Sequence, residues 1–283
     1  MAEFAYLDES LDINQTGMYH MSIQVSLNGL SFCILNTVDN KYVALKHYPY
    51  VQEEKTTLAE LIGDVVARDE FLGRDYKSLA VMPVGFRSTM VPSPLFREND
   101  KELFFSFNHP LEEGETVMSA RARAIDAYAL FAMAPGMPEA IKNSFPRARV
   151  LHQTIPFLEG IVRYLWIKGK EPAMFLNVHD DFFDLAVFRG QTPLLINAFR
   201  YRQVNDMIYF ILYTMKTLEM DPATSPVILQ GKINTTSGLI NSLKRYVKKI
   251  SFARRDPSFT YSYTFNMVSE HTFVNLFNVY PCV

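Results

Sequence analysis

The stretch AMFLNVHDDFFDLAVFRGQTPLLINAF, residues 173–199, consists of three apolar runs separated by two short polar turns. Runs of this length, rich in Val, Ile, Leu and Phe and bounded by Asp, Asn or Gly, predict β-strands. The first turn contains His179, Asp180 and Asp181, and the second contains Arg189, Gly190 and Gln191. The stretch therefore predicts a three-stranded meander with strands over 173–178, 182–188 and 192–199.

A helix, a fourth strand and a second helix are predicted to follow this meander. Apolar residues from Val204 to Met215 recur at spacings of three and four, which places them on one face of a helix. Residues 226–230 form an apolar run of strand length, and the apolar positions from Leu239 to Val247 repeat the helical spacing. The predicted order of elements is thus β-β-β-α-β-α.

The same order is predicted earlier in the chain. Alternating apolar residues over 20–25 predict a strand, and Asn28-Gly29 after it is a strong signal for a two-residue hairpin turn. The elements predicted next are strands over 30–35 and 42–47, a helix over 58–66 and a strand over 78–82. Self-similarity over this distance indicates one structural unit used twice.

Residues 103–153 have no counterpart in the second copy and are interpreted as an inserted α+β subdomain. This segment contains a predicted strand over 124–133, a helix that opens near Pro138 and a strand over 149–152. The apolar spacing from Ile155 to Leu165 then predicts a helix that leads into the second unit. The predicted division is an N-terminal tail over 1–19, a first half over 20–154 that includes the insertion, and a second half over 155–283.

Composition excludes several classes of protein. The 283 residues are 48% hydrophobic and 20% charged with a net charge of −2, which is typical of a soluble globular protein and gives no overall attraction to nucleic acid. The run from Lys244 to Lys249 is interpreted as a solvated helix face. No apolar run reaches the length of about 18 residues that a membrane span needs, and the acidic N-terminus lacks the features of a secretory signal. Two cysteines give no disulfide framework, so we expect a cytoplasmic protein.

Two stretches of the second half carry a more specific pattern. An apolar strand runs into a glycine turn in Val227-Ile228-Leu229-Gln230-Gly231-Lys232-Ile233, and Gly238 in Ser237-Gly238-Leu239-Ile240 opens the next helix. Phe175-Leu176-Asn177-Val178-His179 precedes the turn of the first hairpin. Together with the duplication, these stretches resemble the actin-like ATPase superfamily, closest to the bacterial branch of FtsA and PilM and to a bacterial family of unknown function with this fold. The resemblance implies an α/β fold of two ribonuclease-H-like halves that clasp ATP and Mg²⁺ between them.

The resemblance also implies which residues would face the nucleotide. The superfamily pairs an aspartate with a glycine in each phosphate loop, and here Ser26 lacks the carboxylate while Asn177 and His179 stand in the second loop. Lys232 replaces the second glycine of the adenosine motif. The nucleotide-binding positions implied by the resemblance are Ser26, Asn28, Gly29, Asn177, His179, Arg200, Arg202, Gly231, Lys232 and Gly238. The substitutions argue against efficient hydrolysis of ATP.

Asp180, Asp181 and Asp184 are the candidate catalytic residues, because with His179 they form a dense polar cluster between apolar strands. Carboxylates in this arrangement suit a metal site or a general base, and a solvated hairpin turn is the simpler interpretation. We therefore expect a degenerate, non-hydrolysing member of the superfamily that acts as a binding or assembly component. One alternative is an active ATPase or sugar-kinase-like phosphotransferase whose metal site uses these aspartates. The other is an interaction protein whose insertion docks a partner peptide on an exposed strand edge.

Overall fold

The computed structural model describes residues 2–49, 57–168, 172–234, 236 and 238–283. Fifteen strands lie in these residues: β1 (Phe4–Leu7), β2 (Tyr19–Ser26), β3 (Gly29–Asn36), β4 (Lys41–Pro49), β5 (Ser78–Pro83), β6 (Ser88–Pro92), β7 (Thr116–Ala122), β8 (Ala127–Met133), β9 (Arg149–Val150), β10 (Pro172–Val178), β11 (Phe182–Arg189), β12 (Thr192–Arg200), β13 (Val227–Gly231), β14 (Ile250–Phe252) and β15 (Thr260–Tyr261). The α-helices of the same residues are α1 (Leu58–Arg68), α2 (Lys101–Ser106), α3 (Met137–Ser144), α4 (Thr154–Lys168), α5 (Val204–Thr217), α6 (Gly238–Leu243) and α7 (Val274–Phe277).

Two sheets share one topology, which confirms the duplication. The first has the order β1-β4-β3-β2-β5-β9, with β15 paired to β4, and the second has the order β12-β11-β10-β13-β14. In each, three antiparallel strands form a meander, and two further strands continue the sheet in parallel from its first strand. Parallel neighbours need crossover connections, and the helices α1, α3, α5 and α6 supply them.

Helices cover the apolar faces of both sheets. On the second sheet, α5 buries Met207, Ile211 and Met215 against one face, as its apolar spacing predicts. Phe157 and Leu158 of α4 pack on the opposite face against Phe175 and its neighbours. Because both faces are covered, β10 and β11 are almost continuously buried. This explains why their sequences read as apolar runs rather than alternating ones.

The insertion forms a small antiparallel sheet, β6-β8-β7, with α2 packed on it. It starts at Ser88, earlier than position 103, and Arg149–Val150 pairs with β5 in the first sheet. The strand predicted over 124–133 is wrong at its start, because Asp126 has a positive φ of 48° that ends a short turn and β8 begins after it. The strand predicted over 149–152 stops at Val150. The helix predicted near Pro138 is α3, whose proline lies in the first turn, where no N–H partner is lost.

The two ends of the chain also differ from expectation. The segment predicted as a tail, 1–19, contains β1, which pairs with β4. At the other end, Leu276 and Phe277 pack against Cys33 and Tyr42 of the first sheet, so the C-terminal segment crosses from the second half to the first. The division into halves at 20 and 155 stays a prediction.

Two local predictions need correction. The helix predicted up to Val247 ends at Leu243, where a turn begins. The hairpin turn lies at Leu27-Asn28 rather than Asn28-Gly29, since Gly29 pairs with Ser26 as the first residue of β3. Gly29 has a φ of 129°, and this conformation favours glycine at the pair that closes the turn. Ser237 of the sequence motif lies outside the described residues.

Candidate functional site

A cleft of about 740 Å³ lies where the β2–β3 turn, the β10–β11 turn and the end of β13 meet. Each half contributes one hairpin turn to it, because the two sheets place their first hairpins at equivalent positions. Aromatic side chains, including Phe4, Phe86, Phe182 and Phe273, line it beside the polar groups. The cleft therefore lies where the resemblance to the actin-like ATPase superfamily implies a nucleotide.

Lys232 connects the two turns across this cleft. Its Nζ donates a hydrogen bond of 2.9 Å to Asn28 Oδ1 in the first turn and forms an ion pair with Asp180 in the second. The Lys232 backbone N–H donates to the Val178 carbonyl at 2.8 Å, which fixes the start of the side chain at the end of β13. A single ammonium group thus holds together the loops that the resemblance assigns to phosphate.

Asp184 forms the centre of a buried polar network behind the second turn. Its side chain is almost fully buried, and its Oδ2 accepts hydrogen bonds from Asn177 Nδ2 at 3.0 Å and from His179 Nε2 at 2.9 Å. Its Oδ1 accepts a bond of 3.3 Å from Gln153 Nε2. The His179 ring stacks on Phe182 with 4.2 Å between centroids. Both carboxylate oxygens are therefore occupied by protein donors.

Gln153 ties this network to the loop after β5. Its Nε2 donates to the Gly85 carbonyl at 2.7 Å, and its Oε1 accepts from the Gly85 N–H at 3.1 Å. Neighbouring His152 lies 3.1 Å from the same carbonyl and 2.9 Å from Thr154 Oγ1. Burial lowers the pKa of His152 to about 4, because the imidazolium would lose its hydration. The imidazole is therefore neutral at physiological pH.

Gly231 allows β13 to approach β10 at the edge of the cleft. Its φ is +88°, and a Cβ at this position would lie 2.4 Å from the Val178 carbonyl oxygen. The Gly231 N–H donates to the His271 carbonyl at 2.9 Å, and His271 Nε2 donates to the Ile233 carbonyl at 2.7 Å. The turn that resembles the adenosine motif is thus bonded to the C-terminal segment of the chain.

The first sheet presents a row of polar side chains to the cleft. Gln24, Ser31 and His47 are register neighbours on β2, β3 and β4. Ser31 Oγ lies 2.8 Å from His47 Nδ1, and His47 Nε2 lies 3.4 Å from Glu3 Oε2. Burial lowers the pKa of His47, and the charges of Glu3 and Lys232 act on it in opposite directions.

The structure brings most of the sequence-predicted site residues together. Those that line the cleft are Ser26, Asn28, Asn177, His179, Asp180, Asp181, Arg200, Gly231 and Lys232. Of the others, Gly29 starts β3, Asp184 lies buried behind the turn, and Gly238 starts α6. Arg202 is exposed beyond β12, where its N–H donates to Asp206. The Arg200 guanidinium lies 4.8 Å from the centroid of the Phe86 ring.

Sheet register changes which residues of the two hairpins are equivalent. The resemblance treats Ser26 and Asn177 as equivalent positions, and the register does not. Ser26 pairs with Gly29, and His179 makes the matching contact to Phe182, so Ser26 corresponds to His179 and Gln24 corresponds to Asn177. Sequence reasoning missed Gln153 and His271, which are single polar residues with no spacing signal. It could have found His47 and Ser31, since strand alternation places both on one sheet face with Gln24.

The three candidate aspartates have separate environments. Asp184 is buried in its network, Asp180 is paired with Lys232, and Asp181 is exposed at the turn. Among the described ranges, no group of three His, Cys, Asp or Glu side chains is placed to hold a metal ion. In the same ranges, no helix combines the length and hydropathy that crossing a membrane requires.

Two sheets of one topology with a cleft between their first hairpins define the actin-like ATPase fold, and solved structures agree. A protein of unknown function with this fold from Bacteroides thetaiotaomicron VPI-5482 matches with a TM-score of 0.82 and 24% identity, over 96% of this chain and 99% of that one. PilM in the PilM–PilN type IV pilus biogenesis complex matches with a TM-score of 0.61 and 10% identity, over 92% and 96% of the two chains. These likenesses confirm the predicted duplicated α/β fold.

The chain belongs to the family described as "Protein of unknown function (DUF3822)", whose model matches residues 8–250. The match covers the insertion and most of both sheets, and it leaves out β1, β15 and all but the first residue of β14. None of the curated proteins compared with the chain matches it.

Proposed function

We propose that the chain is a non-hydrolysing protein of the actin-like ATPase fold that acts in the cytoplasm as a binding or assembly component. The observation that carries the proposal is the contact of Lys232 with both Asn28 and Asp180. The Lys232 ammonium group lies between the two turns, where the resemblance expects a polyphosphate and its cation. Opening this place to a nucleotide requires the Lys232 contacts to break.

The second phosphate-loop position supports the same conclusion. Asn177 uses its amide nitrogen to donate to Asp184, and its Oδ1 lies 3.5 Å from Gln230 Nε2, which donates to it. An amide in these contacts cannot replace an aspartate that organises metal-bound water, because it carries no charge and its N–H group is bonded to Asp184. The bonds from His179 and Gln153 occupy Asp184 as well. The protein thus uses these side chains for its own stability.

The insertion supports a role in binding other proteins. β6 and β7 each pair only with β8 among the described strands, so both leave an edge on which an extended peptide can add a strand. Leu103 and Phe107, four residues apart at α2, are 57% and 72% exposed. These two side chains offer a partner an apolar contact. PilM, which shares the fold, was solved in a complex with PilN.

The state of the cysteines supports a cytoplasmic location. Cys33 and Cys282 are both free and buried, and burial raises the pKa of the Cys282 thiol to about 12. Unpaired, protonated thiols suit a reducing compartment.

Calorimetry with ATP and Mg²⁺, combined with a phosphate-release assay, tests the absence of hydrolysis. We expect no sustained turnover from the wild type or from Lys232→Ala. Micromolar binding followed by steady turnover in the wild type would overturn the proposal. Loss of that turnover in a variant with Asp180, Asp181 and Asp184 all changed to Ala, shown by thermal unfolding to be still folded, would then support the phosphotransferase alternative.

Cross-linking capture tests the role of the insertion. The variant Leu103→Glu/Phe107→Glu removes the apolar surface, and Val38→Glu is a matched control because Val38 is 67% exposed in a distant turn. We expect specific partners to be recovered with the wild type and with the Val38 variant but not with the α2 variant. Equal recovery with all three proteins would exclude this surface.

A further inference from the structure

The outer side of the second half carries a groove of about 360 Å³ between α5 and the turn that follows α6. We call it the α5–α6 groove. It lies away from the cleft and from the insertion, since none of its lining residues lines the cleft. Its lining residues are Asn205, Ile208, Tyr209, Ser242, Arg245 and Tyr246.

Three tyrosines are exposed beside this groove. Tyr209, Tyr213 and Tyr246 are 59%, 57% and 53% exposed. The helix α5 turns its apolar residues toward the sheet, so Tyr209 and Tyr213, one turn apart, lie on its outer face. Their rings stack on each other with 5.8 Å between centroids. Tyrosine contributes more binding energy at protein interfaces than most side chains, because its large ring is rigid and its hydroxyl still bonds.

The charge around the groove is strongly positive. Residues 222–255 contain seven Lys or Arg and no Asp or Glu, although the whole chain has a net charge of −2. Lys244, Arg245, Lys248 and Lys249 are all exposed, and none of them forms an ion pair within the part of the chain that the structure describes. The positive charge of these four side chains is therefore open to solvent and to a ligand.

The acidic residues near the groove offset only part of its positive charge, because Asp206, Glu219 and Asp221 are fewer than the four exposed cations. Asp206 of α5 accepts hydrogen bonds from the N–H groups of Arg202 and Gln203, and Asp221 accepts from Ala223 and Thr224. Glu219 lies beyond the C-terminal end of α5, at the end opposite Asn205. The cationic side of the groove, formed by Arg245 and its neighbours, faces solvent.

We infer that the α5–α6 groove docks an acidic peptide segment of a partner protein. One apolar or aromatic side chain of the peptide inserts between Tyr209 and Tyr246, and flanking carboxylates bind Arg245 and the adjacent lysines. The Arg245 guanidinium suits this ligand because its planar donors match both oxygens of a carboxylate. The inference rests on this surface alone and does not depend on whether the cleft binds a nucleotide.

The arrangement favours a peptide over single-stranded nucleic acid. Nucleic-acid grooves combine a line of cations with aromatic faces that are open to successive bases. Here Tyr209 and Tyr213 stack on each other with 5.8 Å between centroids, and of the six residues that line the short groove Arg245 alone is a cation. A short acidic segment with one anchor residue fits this shape.

Fluorescence anisotropy with a labelled degenerate peptide pool tests the inference. Each peptide has about twelve residues, rich in Asp and Glu around one central Phe, and a second pool carries Lys in place of the acids. The proteins compared are the wild type, Arg245→Glu, Tyr209→Ser/Tyr246→Ser and Arg147→Glu. Arg147 is exposed on the first half and gives the same charge change far from the groove. Thermal unfolding of each variant confirms that it is folded.

We expect the acidic pool to bind the wild type at least about tenfold more tightly than the basic pool. Arg245→Glu and the double tyrosine variant should each weaken binding by about tenfold, and Arg147→Glu should leave it unchanged. An equal loss with Arg147→Glu, or no preference for the acidic pool, overturns the inference. Tighter binding of an oligothymidylate or of phosphatidylserine vesicles, lost in the same groove variants, would assign the groove to nucleic acid or to a membrane surface instead.

Discussion

The first hairpins of the two sheets have the same backbone and different chemistry. Register pairs Gln24 with Ser31 in the first sheet and Asn177 with Asp184 in the second, so these four residues occupy equivalent places. In the first hairpin the side chains are uncharged, and Ser31 bonds to His47 on the next strand. In the second, a buried carboxylate accepts hydrogen bonds from three side chains.

The two halves thus share one architecture, while the polar interior of each half differs. Strand order and turn position depend on apolar patterning, and both halves keep it. The positive-φ glycines are not shared, since Gly29 of the first hairpin corresponds to Phe182 in the second. The buried polar groups depend on partners from distant parts of the chain, such as Gln153 for Asp184. The second hairpin is therefore fixed by a network, and the first mainly by its backbone pairing.

The largest expected effect comes from removing the centre of the network. Asp184→Ala leaves the donors of Asn177, His179 and Gln153 without their acceptor in a buried place, and we expect it to lower the free energy of unfolding by about 4 kcal/mol. Ser31→Ala, at the equivalent position, removes one hydrogen bond and should cost about 1 kcal/mol. Urea unfolding of both variants measures the difference. Equal costs would show that the two hairpins are held in the same way.

The next effect concerns the close approach of β13 to the second hairpin. Gly231→Ala places a Cβ against the Val178 backbone at a positive φ, and we expect a loss of about 3 kcal/mol. Gly238→Ala is the matched control, because the space around Gly238 is open and its φ is not positive. It should be neutral or slightly stabilising in thermal unfolding. A tolerated Ala at 231 would mean that β13 can move away from β10, and with it Lys232.

The sequence predicts the strands of the two repeated units well and those of the insertion poorly, for physical reasons. Buried strands such as β10 and β11 appear as apolar runs, whereas β7 (Thr116–Ala122) contains mostly small and polar residues and gives a weak signal. In the site, Lys232 attracts notice because it replaces a glycine. Its partner Asn28 is 204 residues away in sequence, and only the fold brings the two together.

Acidification should lower the free energy of unfolding through His152, which contacts the Gly85 carbonyl beside the network. Burial lowers the pKa of His152 to about 4 from an ordinary 6.5, so the unfolded state binds a proton first as the pH falls. The contribution of His152 is complete above pH 6.5 and is lost as the pH falls toward 4. We expect His152 alone to contribute a loss of about 2 kcal/mol between pH 8 and pH 5.

Urea unfolding across this pH range measures that loss, and His152→Gln isolates it. The variant should show a flatter dependence on pH by about the same amount, whatever its stability at pH 8. His20 is buried in the first sheet, where burial lowers its pKa to about 3, so part of the acid sensitivity should remain. An unchanged pH profile in the variant would place the acid sensitivity elsewhere.

The smallest expected effect is the most informative about the contact between the two turns. The side chains of Lys232 and Asp180 are 59% and 36% exposed, so solvent screens their attraction, and a double-mutant cycle with Lys232→Ala and Asp180→Ala should give a coupling of at most about 1 kcal/mol. Hydrogen exchange should respond more strongly, because losing the Lys232 contacts frees both turns at once. Faster exchange in the second turn alone would contradict the bridge, since Asn28 would then not depend on Lys232.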